Sequence, residues 1–122
     1  GWYVLPAVVS NVEQGTEVVR CEQFGPVIPL LSFRTEDQAI ALANDSNFGL
    51  CSSVWTPDEE RAWKVARKIQ AGTTFINVHR RGASGVDMPY GGFKESGLGR
   101  GHGVVALEEQ LEMHTVSTRR PA

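Results

Sequence analysis

Four stretches of this chain carry side chains that could do chemistry. The first is Cys21-Glu22-Gln23-Phe24-Gly25-Pro26, followed by the apolar run Val27-Ile28-Pro29-Leu30-Leu31. In a strand Glu22 and Phe24 project to the same side, because side chains alternate with period two. Gly25-Pro26 breaks any helix and fixes where the next strand begins. The result is an acid and an aromatic ring presented together at the lip of a sheet. Taken alone, the pair reads as a solvated Glu beside a half-buried Phe. The second stretch, Pro89-Tyr90-Gly91-Gly92-Phe93-Lys94-Glu95-Ser96-Gly97, is a tight Gly-Gly bend between aromatics, with Lys94 able to reach a carboxylate or a carbonyl. The third is the glycine run Gly97-Leu98-Gly99-Arg100-Gly101-His102-Gly103. It lacks the third glycine of the dinucleotide fingerprint at the required offset, and no Lys-Ser/Thr pair follows, so it reads as tight backbone packing rather than a phosphate cradle. The fourth, Arg80-Arg81, follows a strand end, the side where ligands bind in α/β sheets, and hints at a polar or anionic substrate.

Neither cysteine reads as a nucleophile. A reactive thiol needs a base or a helix N-terminus to lower its pKa. Cys51 instead lies in Leu50-Cys51-Ser52-Ser53-Val54-Trp55, a strand between two helices, where a small half-buried thiol is ordinary. His79, His102 and His114 stand far apart without ligand spacing, so no metal site is expected.

The elements that must position these groups fit one domain of 122 residues. Hydrophobic residues make up 41% and charged residues 21%, which argues against disorder. A formal charge of −2 lacks the basic field of a nucleic-acid binder. Neither a bilayer-length apolar run nor a signal peptide is visible, and two cysteines make no disulfide framework. A reducing, cytoplasmic setting is therefore expected. The chain opens Gly1-Trp2-Tyr3-Val4 rather than at Met, and further sequence upstream is expected.

Residues 2–9 read as a strand interrupted or edged by Pro6, and 17–21 as one helical turn. Residues 26–33 read as a strand buried on both faces, as in parallel sheets. Thr35-Glu36-Asp37-Gln38 is a capping box opening a helix to about residue 44, with two acids favourable in its first turn. A short strand over 50–55 precedes Thr56-Pro57-Asp58-Glu59, which predicts a helix with Pro57 at its first position and Glu59 completing a second box. Ala62, Val65, Ala66 and Ile69 give that helix one apolar face, and Gly72 stops it. With a strand over 73–78, residues 26–78 spell β-α-β-α-β, an α/β fold built on a parallel sheet. A helix ending near Leu111 and a final strand over Met113–Thr118 complete the chain.

Several of these stretches together resemble the C-terminal part of the NAD(P)-dependent aldehyde dehydrogenase family. Gly1-Trp2-Tyr3-Val4-Leu5-Pro6 is similar to its "G-[FWY]-[FY]-x-x-P-T" strand, and Glu22 through Val27 to "E-x-F-G-P-V". Ala43-Asn44-Asp45-Ser46 with Phe48-Gly49-Leu50 resembles "A-N-x-[ST]-x-[YF]-G-L". Ala71-Gly72-Thr73 through Asn77 resembles "A-G-x-x-x-x-N", and Met88 through Arg100 resembles "P-[FY]-G-G-x-K-x-S-G-x-G-R".

The resemblance implies that residues 1–111 are the C-terminal part of a catalytic domain and 112–122 an oligomerisation strand and tail. Glu22 would accept hydrogen bonds from the nicotinamide-side ribose hydroxyls of NAD or NADP, and Phe24 would pack near the nicotinamide. An ionised carboxylate suits two neighbouring hydroxyls, and a flat apolar ring suits a flat cofactor ring. Tyr90 falls where the family usually has Phe lining the aldehyde tunnel, and Asn77 is expected to give structural support. The family's nucleophilic cysteine, its water-activating glutamate, its oxyanion-hole Asn and its cofactor domain would lie upstream, leaving no catalytic residue in this chain. Cys21 falls where the family often has an acid, and Cys51 where it often has a small residue. The implied partners are a small-molecule aldehyde and, through residues 113–118, further copies in a dimer or tetramer. A different reading keeps the fold and drops the chemistry: a free-standing, non-catalytic domain that acts through assembly.

Overall fold

The computed structural model describes residues 1–79 and 85–120. Arg80 and Arg81, the arginine pair singled out above, lie outside the described residues. Among the described residues six short strands and four helices follow one another as β1 (Ala7–Val9), α1 (Glu17–Arg20), β2 (Val27–Pro29), α2 (Glu36–Asn44), β3 (Phe48–Gly49), β4 (Cys51–Val54), α3 (Glu59–Ala66), β5 (Thr73–Ile76), β6 (Phe93–Lys94) and α4 (Gly103–Glu108).

The best-packed unit is β4-α3-β5. Its strands pair in parallel, with Cys51 opposite Thr73 and Val54 opposite Ile76, and α3 is the crossover that a parallel pair requires. Ala62, on the apolar face read from the sequence, is fully buried against this pair, and Phe75 is 9% exposed. The Ser52 and Thr74 hydroxyls meet across the strands at 2.7 Å. Asn77 closes the far end: its side-chain oxygen accepts from the Thr56 amide and its Nδ2 donates to the Thr56 carbonyl, both at 2.9 Å. Its φ of 53° is a left-handed conformation that Asn tolerates better than most residues. Structural support is therefore what Asn77 supplies.

Helix α2 starts as its sequence predicts. Thr35 Oγ1 accepts from the Gln38 amide at 3.2 Å, while Gln38 Oε1 accepts from the Arg34 amide, one residue earlier than a capping box requires. Helix α3 starts later than expected. Asp58, not Thr56, is its cap, accepting from the Arg61 amide at 3.0 Å, and this leaves Pro57 outside the helix. An aspartate one step closer to the first turn is as good a cap as a threonine and adds a charge favourable to the dipole. Glu36 of α2 joins the two helices, paired with Arg61 at 2.9 Å and Lys64 at 3.5 Å. The Arg61 hydrogen bond first, then Lys64, holds the Glu36 carboxyl below its ordinary value. This pairing is complete at neutral pH and is lost as pH falls through that lowered value.

Three expectations need correction. The parallel sheet over 26–78 is not continuous: β1 pairs with β2 and β4 with β5, both parallel, while β3 pairs antiparallel with β6, giving three two-stranded sheets. Strands β2 and β4 do not pair, so each parallel pair keeps an open edge among the described residues. The stretch 26–33 is not buried on both faces either, because Ile28, Leu30 and Phe33 are all more than half exposed. Residues 113–118 form no strand, and Met113 and Val116 stand in solvent. A strand is defined by a partner's hydrogen bonds, and no second strand lies beside this segment among the described residues.

These exposures sum to a surface too large for the mass. The chain exposes 10356 Å², whereas a self-contained monomer of its mass exposes about 6,500 Å². Large apolar side chains contribute to this excess, Trp2, Phe24, Leu98 and Met113 among them. The isolated 122-residue chain is expected to bind the dye ANS and to melt without a sharp transition; a steep, cooperative melt with no dye binding would contradict this. Within that chain, hydrogen exchange should be slowest at the amides of β4 and β5. Asn77→Ala should lower protection there by about tenfold, the cost of about 1.4 kcal/mol for losing two hydrogen bonds at a strained position.

Candidate functional site

The site is assembled around the end of α2. The last carbonyls of a helix have no partner within it and carry partial negative charge. Here Lys94 Nζ donates to the Asn44 carbonyl at 2.6 Å and to the Ser46 carbonyl at 2.8 Å. The reach inferred for Lys94 from sequence is thus to carbonyls. Gln14 Nε2 donates to the Leu42 and Asp45 carbonyls at 3.2 and 2.8 Å. Arg20, the last residue of α1, donates to the Asp45 carboxylate at 2.9 Å and to its carbonyl at 3.2 Å. The Asn44 side chain faces the other way, donating to the Lys68 carbonyl and accepting from the Gln70 amide, both at 2.8 Å. One helix end thereby fixes α1, the segment after α3, and β6.

Glu22 follows α1 by two residues and is placed by the Arg20 anchor. It lies on a cleft of about 680 Å³ that Cys21, Phe48, Cys51, Glu95 and Ser96 also line. Ser96 Oγ accepts from the Gly49 amide at 2.9 Å and ties its segment to β3. Among the described residues the Glu22 carboxylate makes no hydrogen bond or ion pair, so its acceptor capacity is unused. Phe24, expected beside Glu22, is 96% exposed and outside the cleft lining. Gly25-Pro26 turns the chain into β2 as read from the sequence, but no described residue covers the ring.

Tyr90 lies behind the Cys51 wall. Its backbone is bridged to Gly101 in both directions at 2.7 Å, its ring lies 5.9 Å from the His102 ring, and its hydroxyl accepts from the Cys51 thiol at 3.9 Å. The glycines make this possible. A Cβ on Gly91 would lie 2.6 Å from the Gly99 carbonyl oxygen, and one on Gly72 would run into the Gly91 carbonyl. Close backbone packing, rather than a phosphate cradle, is what the glycine-rich stretch provides. Arg100 fills the remaining space, donating to the Gly92 and Gly99 carbonyls at 3.1 and 2.7 Å while Glu109 accepts from its amide.

Of the three predicted site residues, Glu22 lines the cleft together with Cys51, Tyr90 meets Cys51 through its hydroxyl, and Phe24 is outside the lining. Sequence reasoning missed the Cys51 contact, which spans 39 residues. It also missed the tie between Asn44 and Lys94, although both lie in motifs quoted above. Among the described residues no group of three or more His, Cys, Asp or Glu is placed to hold a metal ion, and no helix is long and apolar enough to cross a membrane.

Comparison with known proteins places this geometry. Residues 1–116 match the family described as the aldehyde dehydrogenase family. Human 4-trimethylaminobutyraldehyde dehydrogenase is 43% identical over 116 residues, covering 95% of this chain and 23% of that protein. Betaine aldehyde dehydrogenase of Brucella melitensis is 41% identical with the same coverage. Among solved structures, a Mycobacterium tuberculosis aldehyde dehydrogenase complexed with NAD+ superposes with a TM-score of 0.83 at 38% identity, covering 89% of this chain and 22% of that one. Betaine aldehyde dehydrogenase from Staphylococcus aureus in complex with NAD+ gives 0.79 at 41% identity, over 84% of this chain and 20% of that one. The chain thus spans less than a quarter of the length of the relatives it matches, yet almost all of its own length is matched. It belongs to the aldehyde dehydrogenase family.

Proposed function

We propose that these 122 residues act as the C-terminal portion of an NAD(P)+-dependent aldehyde dehydrogenase, an oxidoreductase that converts an aldehyde to a carboxylic acid. The observation that carries this reading is the Glu22 carboxylate, held on an open cleft with no internal partner. A buried structural acid would be paired; one poised at a cleft with free lone pairs suits the two hydroxyls of a ribose. The NAD+ complexes of similar enzymes support the cofactor class. When bound, that cofactor accepts the hydride released from the substrate carbon.

This chain's residues bind and orient. Glu22 fixes the ribose on the nicotinamide side, and Arg20, tied to Asp45, fixes Glu22's wall. Phe24 presents its ring to the nicotinamide face, which would cover a side chain otherwise in solvent. Tyr90 lines the aldehyde side. Neither thiol serves as nucleophile: Cys51 directs its hydrogen to a phenol oxygen rather than meeting a base. The nucleophilic cysteine and the water-activating glutamate of the reaction belong to sequence outside these 122 residues. Residues 1–111 are assigned to the catalytic domain. Residues 112–122, exposed from 112 to 120, are assigned to pairing with another subunit in a homo-oligomer, in a reducing cytoplasmic setting.

In the complete enzyme, Glu22→Gln should raise the KM for NAD+ and lower kcat/KM by about tenfold to a hundredfold, the value of charge-assisted hydrogen bonds of about 1.5–3 kcal/mol. Its melting temperature should be unchanged. Wild-type cofactor kinetics in that variant would overturn the assignment. The 122-residue chain by itself should form no NADH from NAD+ and an aldehyde, and measurable NADH production by the pure chain would contradict the placement of the nucleophile elsewhere.

A further inference from the structure

We propose that Cys51 is a positioning residue for Tyr90, its thiol and the tyrosine hydroxyl forming a matched pair that sets the aldehyde-side wall at the back of the cofactor cleft. The inference rests on the reading of Tyr90 given above and adds to it a residue with no role so far.

Three of the tyrosine's contacts lie among the described residues. Its backbone exchanges two 2.7 Å hydrogen bonds with Gly101, which fixes the Cα. The His102 ring, 5.9 Å away and tilted by 31°, limits how far the tyrosine ring can rotate. At the ring's outer end the Cys51 thiol, 3.9 Å away, donates a hydrogen to the phenol oxygen. The backbone that carries the thiol is held in a strand pair: Cys51 opens β4, opposite Thr73 in the best-packed sheet. It also lines the cleft that holds Glu22. One small side chain thus links the strand scaffold, the cofactor cleft and the tip of the tyrosine ring.

The pairing explains two residue types together. A hydroxyl at position 90 and a thiol at position 51 meet in one hydrogen bond, so a methyl at 51 or a bare ring at 90 removes the same contact. Sulfur is a weak donor, and the effect on substrate binding is correspondingly modest, about threefold to fivefold.

The test is a double-mutant cycle in the complete enzyme, with NAD+ and with propanal and betaine aldehyde as probes, read by steady-state kinetics and by melting temperature. Cys51→Ala and Tyr90→Phe should each raise the aldehyde KM by about threefold to fivefold, with kcat within about twofold and the KM for NAD+ unchanged. The double variant should be no worse than either single, in KM and in melting temperature alike. Cys51→Ser, which keeps a donor, should restore the wild-type KM. Multiplying effects in the double variant would overturn the pairing, as would a Cys51→Ala defect that falls on the NAD+ KM. Non-additive melting shifts with an aldehyde KM that no variant moves would overturn the role of Tyr90 toward substrate, and the positioning role with it. A silent Glu22→Gln would overturn only the cofactor assignment.

Discussion

The carbonyl end of α2 is the joint on which this architecture depends. Helices end with acceptors that nothing inside the helix can satisfy. Here they are met by Lys94, Gln14 and Arg20, while the Asn44 side chain engages the backbone beyond α3. Each of these donors comes from a different part of the chain. Because the acceptors project from one helical turn, the donors converge on one place, and the segments that carry them become the walls of the cleft. Glu22 is positioned through Arg20, and Ser96 and the bend before it through Lys94. The ammonium and guanidinium are also of the sign that the helix dipole favours at this end.

Much of this frame is legible in the sequence because it follows from local rules. The Thr35 cap, the one buried face of α3 and the β4-α3-β5 crossover rest on periodicity and capping chemistry, which act over three or four residues. The shift of the α3 cap from Thr56 to Asp58 is a choice between two good local acceptors that differ by two positions. The errors are of another kind. Residues 26–33 read as doubly buried because their composition is apolar, yet composition states only what a segment needs, not what covers it. Residues 113–118 alternate as a strand does, but strand structure is a property of a pair. The link from Cys51 to Tyr90 could not be read from spacing either, since residues 39 apart meet only after three elements have packed.

The same distinction explains the surface. Among the described residues only Ala62 and Phe75 form a buried hydrophobic core, while Trp2, Phe24, Leu98 and Met113 stand almost fully in solvent. The parallel pairs keep open edges, and parallel strands are ordinarily buried on both sides. The apolar faces around the β4-α3-β5 unit are left exposed among the described residues. The family relationship agrees, since the matched region is under a quarter of each relative.

The hydrogen bonds at the α2 end also carry a consequence for the order in which the molecule forms. Lys94 reaches Asn44 across 50 positions, and Ser96 reaches Gly49 across 47. By contrast β4 and β5 are joined through a single intervening helix and register at a separation of 22. Bringing distant segments together costs chain entropy before any bond repays it. The crossover unit can therefore assemble early as a nucleus, and the cleft can close only once the glycine-rich segment folds back over it. During synthesis position 22 emerges well before the lysine at position 94, so the α2-end contacts that depend on that lysine can form only after the later segment has been made.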